Sequence, residues 1–296
     1  MTYNPIKTLI SIASHPGNKN NKIRAISRYF KWQIGSRLLG FQQVMPWIDD
    51  AKLYIRPGEA MVTHNLYTGV YEYYDMLFLL HCLTKEDEFL DIGANSGVYT
   101  VLAGAVLGVK VVAFEPIPDT YSRLLDNINL NHIGDKVTPI NKGLSDKNEV
   151  LSFVTNLDAT NHVSIAPLSG SAQIPVVKLD DELKKIDFIP TVMKIDVEGF
   201  EKFVLKGASK LLGNPKLNVI IIELNSSGKY FGVEDGEILE LLIGCGFQSY
   251  DYNPDTHLIE SLNNKISKRQ NTLFIRDLNL ILDDLHLNKT YIIHNQ

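Results

Sequence analysis

Apolar residues at Ile23, Ile26, Tyr29, Phe30, Ile34 and Leu38 recur close to the helical period and predict a helix from Ile23 to Leu39. A turn is expected at Arg56-Pro57-Gly58, and a second helix from Tyr71 to Leu83. From Glu86 onward, short apolar runs alternate with longer amphipathic stretches, which predicts βαβ units and a parallel sheet. Strands are expected at Glu88 to Ile92, Lys110 to Glu115, Val137 to Asn141, Val192 to Asp196 and Val219 to Leu224. Helices fill Gly97 to Leu107, Asp119 to Asn131, Gly199 to Leu212 and Asp235 to Cys245. Two more strands are expected at Gln248 to Tyr252 and Asn271 to Arg276, joined by a loop that opens on the ligand-binding edge of such a sheet.

The fold class that follows is a doubly wound, mostly parallel α/β sheet. Residues 1–70 read as an N-terminal helical extension, 71–280 as the main domain and 281–296 as a C-terminal tail. Between the third and fourth strands the rhythm breaks. Leu151 to Asn156 and Ile174 to Val177 suggest a small β insertion, and the intervening loop, with Asn161-His162 and Pro167 to Ser171, is either a substrate-facing flap or a surface excursion.

Composition narrows the class. Hydrophobic residues at 45% and charged residues at 21% exclude a disordered or low-complexity chain. A formal charge of -5 gives no electrostatic footprint for nucleic acid. The two cysteines, Cys82 and Cys245, sit in apolar contexts far apart, which suits buried thiols and a cytoplasmic setting better than a disulfide framework. Lys22, Arg24, Arg28, Lys31 and Arg37 punctuate the first helix. Residues 22–39 therefore read either as a docking helix with a solvated charged side or as a peripheral contact with a membrane surface or an anionic substrate.

The strongest chemical signal is Glu88-Phe89-Leu90-Asp91-Ile92-Gly93-Ala94-Asn95-Ser96-Gly97, a strand ending in a glycine turn that opens a helix. Gly93 permits a tight turn and close ligand approach, and Gly97 permits close helix packing. Glu115 follows Asp91 by 24 positions, near the ~20-residue offset at which an acid takes both ribose hydroxyls. Asn95 stands where a dinucleotide fingerprint places a glycine beside the pyrophosphate, which disfavours a nicotinamide dehydrogenase. A nucleoside with a cationic tail fits better, and S-adenosylmethionine is one. Its ribose is expected at Glu115, its adenine near Ile117 and the third-strand loop, where Asn141 and Asp146 are the alternatives for the base edge, and its methionyl end beside the turn and Asp91.

Phe89 to Thr100, Ala113-Phe114-Glu115-Pro116 and Lys194-Ile195-Asp196-Val197-Glu198-Gly199-Phe200-Glu201 together resemble the FkbM family of S-adenosylmethionine-dependent methyltransferases. The resemblance implies a class I, Rossmann-like methyltransferase fold with a seven-stranded sheet, and methyl transfer to a hydroxyl. It also implies a cofactor site at Asp91, Gly93, Ala94, Asn95, Gly97, Glu115 and Pro116. A sugar or glycan hydroxyl is the acceptor the family suggests.

Lys194, Asp196 and Glu198 alternate with apolar residues at the end of the fourth strand and project to one side, and Glu223 and Asn225 leave the fifth strand at the same edge. Buried, such a cluster is costly unless it pairs or binds something. Two roles compete: carboxylates taking the acceptor proton, or Asp196, Glu223 and Asn225 holding Mg²⁺. His162 and His257, in loops on this edge, are further candidates for the base. The alternatives to a sugar O-methyltransferase are a Mg²⁺-dependent enzyme acting on a small polyketide-like molecule, and a non-catalytic nucleoside-binding scaffold.

Overall fold

The computed structural model describes residues 4–154, 162–164, 171–283, 285 and 290–295. Asn161, Pro167 to Gly170 and part of the expected tail lie outside the described residues. The chain opens with α1 (Pro5–Ser14) and α2 (Lys22–Leu39), followed by a hairpin of β1 (Gln43–Pro46) and β2 (Lys52–Ile55), then α3 (Ala60–Thr68) and α4 (Tyr73–Cys82). Asn4 caps α1 by accepting from the Ile6 and Lys7 backbone N–H groups. The Gly40 amide closes α2 on the Ser36 carbonyl in a left-handed C-cap.

The main domain begins at β3 (Glu88–Ile92), α5 (Val98–Val101), β4 (Lys110–Phe114), α6 (Pro118–Leu130) and β5 (Val137–Ile140). The helix expected from Gly97 to Leu107 is not uniform: after α5 it widens into a π-helical turn over Leu102–Leu107. The insertion follows, with β6 (Gly143–Leu144), β7 (Glu149–Val154), β8 (His162–Val163) and β9 (Ala172–Val177). Instead of one extra strand pair it is a four-stranded sheet in the order β6-β9-β7-β8. Next come α7 (Leu179–Ile186), β10 (Val192–Ile195), α8 (Glu201–Gly207), α9 (Ser209–Leu212), β11 (Val219–Glu223) and α10 (Asp235–Gly244). The chain closes with β12 (Gln248–Asn253), β13 (Leu258–Ser261), β14 (Asn271–Ile275) and α11 (Leu278–Asp283).

The large sheet has eight strands in the order β13-β12-β14-β11-β10-β3-β4-β5, one more than expected. The extra strand is β13, whose residues inside the presumed loop pair with β12 and are mostly solvent-facing, so no apolar run announces it. β3, β4, β5, β10 and β11 are mutually parallel, while β14 runs antiparallel to β11. Every residue of β11 is buried, as a strand covered on both faces requires.

From β3 the chain steps outward through β4 and β5, and from β10 it steps the other way to β11. The carboxyl ends of β3 and β10 therefore flank the switch point of the sheet, where such folds open a crevice.

Helix α8 touches the β6 side so closely that a Cβ on Gly207 would lie 2.1 Å from the Ser145 carbonyl oxygen. Gly207→Ala should therefore destabilise the protein by about 1–3 kcal/mol through overpacking against rigid backbone, read as a lower urea midpoint at unchanged slope.

Candidate active site

The turn after β3 is pinned to its neighbour strand: the Gly93 and Ala94 N–H groups both donate to the Phe114 carbonyl, at 3.0 and 2.9 Å. Gly93 takes φ +79°, and a Cβ there would lie 1.8 Å from the Asp196 carbonyl oxygen. Glycine is thus required by the approach of the β10 exit loop. Asn95 also has positive φ (52°), a conformation asparagine tolerates, and its side chain accepts from the Ser96 N–H at 2.7 Å. Gly97 meets Leu124 of α6, where a Cβ would come within 2.5 Å of Cδ1.

Glu115 leaves β4 with its carboxylate gripped at both oxygens, by the Asn95 N–H and the Ile117 N–H, each at 2.9 Å. It forms part of the wall of an open cleft of about 690 Å³, solvent included. Gly93, Asn95 and Pro116 share that wall. Ile117, Leu144, Phe153 and Val163 supply an apolar end, and Asp196 and Glu198 a charged one. The small sheet thus has a function in the architecture: β6, β7 and β8 carry Leu144, Phe153 and Val163 to the cleft. Phe200, which falls within the Lys194 to Glu201 motif, and Met61 of α3 also line it, and Met61 had no sequence signal beyond being apolar.

Beneath the charged end lies Lys194, 1% exposed, its Nζ 2.8 Å from Asp196 Oδ2 and 4.6 Å from the centre of the Tyr99 ring. Asp91 lies beside it across the β3–β10 pairing and accepts from the Thr100 hydroxyl at 2.7 Å. Glu72, just before α4, accepts from the Tyr99 hydroxyl and from Asn271 Nδ2, and Asn271 also donates to Asp75 at 2.9 Å. Burial pulls the Lys194 ammonium toward neutrality, but Asp196, Glu72 and Asp91 outweigh it, and its pKa is raised. Burial pushes Glu72 upward, Asp91 up to about 6 and Asp75 to about 7.

Three carboxylates crown this network. Ligand oxygens of Asp196, Glu198 and Glu223 lie within 4.8 Å of one another. Glu223 Oε1 accepts from Gln270 Nε2 at 2.8 Å, and its Oε2 is buried with no hydrogen-bond partner among the described residues. Burial, reinforced by Asp196, raises Glu223 to about 8 and Glu198 to about 7. Glu198 has φ +54°, a conformation costly for a residue with a long side chain. The loop holds this shape because Glu201 accepts from the Val197 and Gly199 N–H groups, at 3.2 and 3.0 Å.

Several expected site residues are placed elsewhere. Asp91 is fully buried under the turn and lines no part of the cleft; its neighbours are Thr100 and Lys194. Asn141 donates to the Glu115 and Pro116 carbonyls, holding the loop after β4, and Lys142, Gly143 and Leu144 reach the cleft in its place. Asp146 accepts from the Ser145 hydroxyl at 3.3 Å, away from the cleft wall. Asn225 is exposed and caps its own turn by accepting from the Ser227 N–H, so Glu198 replaces it in the carboxylate group. His257 turns toward α4, with Nδ1 3.1 Å from the Tyr252 hydroxyl and its ring 4.9 Å from that of His81. His162 precedes Val163 on β8 and so faces the other side of the strand, edge-on to Tyr230 at 5.8 Å. Glu72, Asp75 and Asn271 were missed, although two acids inside the apolar stretch Tyr71 to Leu83 were a visible sign of buried partners.

The raised carboxyls fix a pH dependence. Glu115 and Glu201, like Glu198, titrate at about 7 in the folded chain, above their ordinary value of 4.5. The native state then binds these protons more tightly than the unfolded one, so the stabilisation is complete below about pH 4.5 and is lost as pH rises through 7 to 8. The ligand-free protein should therefore lose urea stability between pH 5 and 8.5. Glu223→Gln should flatten that slope, gaining on the order of 1 kcal/mol or more at pH 8.5 over wild type.

Residues 91–249 match the family described as the methyltransferase FkbM domain. The chain is 33% identical over 171 residues to the hexuronic acid methyltransferase AglP of Haloferax volcanii, covering 57% of this chain and 66% of that protein. It is 24% identical over 205 residues to Methyltransferase 1 of Beauveria bassiana, covering 62% of this chain and 82% of that one. Among solved structures it is similar to Methyltransferase FkbM from Methylobacillus flagellatus KT, with 18% identity, a TM-score of 0.45, and coverage of 73% of this chain and 52% of the other. The matched span contains the glycine turn, Glu115, the Lys194–Asp196 pair, Glu198 and Glu223, while Met61, Glu72, Asp75 and Asn271 lie outside it, and the chain belongs to the FkbM methyltransferase family.

Proposed function

We propose that the protein transfers a methyl group from S-adenosylmethionine to a sugar hydroxyl. The observation that carries this reading is the wall made by Glu115, with both carboxylate oxygens oriented by backbone N–H groups, between an apolar slot and a carboxylate-lined end. Glu115 retains lone pairs for two ribose hydroxyls, Ile117, Leu144 and Phe153 suit a planar base, and the acid-rich end suits a sulfonium charge. The cofactor supplies an activated methyl group. The chain's own task is to align the acceptor oxygen, to exclude water and to take one proton.

Glu198 is the best placed group for that proton: it lines the cleft and titrates at about 7, near the pH at which a general base works most effectively. Asp196, fixed by Lys194, accepts a hydrogen bond from the acceptor, and Glu223, raised to about 8, donates one at neutral pH. Carboxylates accept hydrogen bonds from hydroxyls, so a polyhydroxylated acceptor suits them, and the hexuronic acid in the name of the haloarchaeal relative makes uronates the first sugars to assay.

A second reading is favoured by the mutual approach of Asp196, Glu198 and Glu223 and by the unpartnered Glu223 Oε2. All are hard oxygen donors that suit Mg²⁺, which would orient an acceptor diol and lower the pKa of its hydroxyl. Chelation separates the two: activity that survives EDTA favours Glu198 as base, and activity lost and restored by Mg²⁺ favours the metal.

Calorimetric titration should show S-adenosylmethionine binding to wild type that weakens at least tenfold, about 1.4 kcal/mol, in Glu115→Ala; unchanged affinity would refute the site. With uronate-containing acceptors, kcat/KM should rise toward pH 7 as Glu198 deprotonates. Glu198→Gln should lower kcat about 10²- to 10⁴-fold, with a far smaller loss of cofactor affinity.

A further inference from the structure

The charge of this chain is sharply divided along its length. Residues 1–48 contain seven of the 29 Lys and Arg and none of the 34 Asp and Glu, so a +7 segment is attached to a body of −12. In the structure Arg28 turns inward to Asn18 and to the Tyr67 carbonyl, while Lys7, Lys19, Lys22, Arg24, Lys31 and Arg37 are exposed.

Helix α2 is apolar on two opposite sides. Ala25, Tyr29 and Trp32 form the buried side, with the Tyr29 ring 5.4 Å from that of Tyr67 on α3. On the other side Ile23, Phe30, Ile34 and Leu38 are 85%, 50%, 60% and 79% exposed. At 3.6 residues per turn these four fall within an arc of roughly 80°, with Arg37 on one flank and Lys31 and Arg24 on the other. Ile6 and Ile10, one turn apart on the adjoining α1, are 67% and 62% exposed. An apolar stripe bordered by cations and free of acids is the arrangement of a helix lying in the plane of a lipid interface. No helix among the described residues is long and apolar enough to cross a membrane.

We propose that α1 and α2 dock this protein on the surface of an anionic phospholipid bilayer, with the apolar stripe inserted at the acyl boundary and the flanking cations on lipid phosphates. Charge complementarity selects this occupant over a second copy of the chain. A symmetric dimer through the stripe would set Arg24, Lys31 and Arg37 against their own equivalents. The helices that carry the docking face adjoin elements that reach the cleft. α2 packs on α3, whose Met61 lines it, and His15 at the end of α1 is 2.8 Å from the Tyr71 carbonyl, next to the Glu72 carboxylate of the Lys194 network. This inference does not depend on the chemistry assigned to the cleft.

The test is flotation of the full chain with extruded vesicles of phosphatidylcholine alone or with 30% phosphatidylglycerol. Binding should be at least tenfold stronger to the anionic vesicles and fall in 0.5 M NaCl. Ile34→Asn with Leu38→Asn, and separately Arg24→Glu with Lys31→Glu, should each abolish it. All four side chains are exposed, so the thermal midpoint should stay within a few degrees of wild type. Equal recovery with both vesicle types, no recovery with either, or binding unchanged in the variants would overturn the proposal. So would a concentration-dependent dimer in sedimentation velocity that Leu38→Asn dissolves, since the stripe would then be a contact between copies.

Discussion

One buried ammonium organises this molecule. Lys194 sits below the surface of the sheet with Asp196, Glu72 and Asp91 around it and the face of Tyr99 against its Nζ. A lone charge at that depth would be too costly to keep, and the surrounding carboxylates would be equally costly without it. Their mutual requirement explains geometry that otherwise looks arbitrary. β3 and β10 must be neighbours so that Asp91 and Lys194 share a face, and α4 must begin at the carboxyl edge of the sheet so that Glu72 reaches Tyr99. Gly93 must lack a side chain so that the loop carrying Asp196 can close over the turn. The segment preceding the first parallel strand is therefore part of the site, because Glu72 and Asp75 come from it.

The parallel core was legible because its signals are local. An acid stands at or beside the carboxyl end of each apolar run, Asp91 within β3, Glu115 just after β4, Asp196 just after β10 and Glu223 at the end of β11, and the glycine turn and Glu115 fall at characteristic offsets. What escaped was set by tertiary pairing. β13 has mainly exposed residues and pairs along the edge that β12 offers it. The site divides in the same way. Residue types and spacing pointed to Glu115, Asp196, Glu198 and Glu223, but not to which of the polar residues at the strand ends face inward. Asn225 and Asn141 were attractive by position, yet each uses its side chain to hold local backbone, as short amides at strand exits commonly do.

The excess of carboxylate over ammonium in the cleft has a chemical consequence. Glu115, Glu198 and Glu223 are raised to about 7, 7 and 8 because burial, reinforced by the charge of Asp196, disfavours ionisation. Such a cleft favours cations and hydrogen-bond donors and repels anions. On the proposed reading, a sulfonium lowers the electrostatic cost of ionising the nearby carboxyls, so the cofactor's own charge readies the group that will take the acceptor's proton.

The same field bears on which group of an acidic sugar is methylated. A uronate carboxylate directed at this end would meet the charge of Asp196 and of the ionised fraction of Glu198, whereas a ring hydroxyl can donate to either. On the proposed reading, and without a cation between them, the hydroxyl is therefore favoured over the carboxylate as acceptor. With a divalent ion held by the three acids, the sugar carboxylate becomes a competent ligand and the preference can reverse. The choice between base and metal is therefore also a choice between ether and ester product, and the position of the methyl group on a uronate acceptor reports on both.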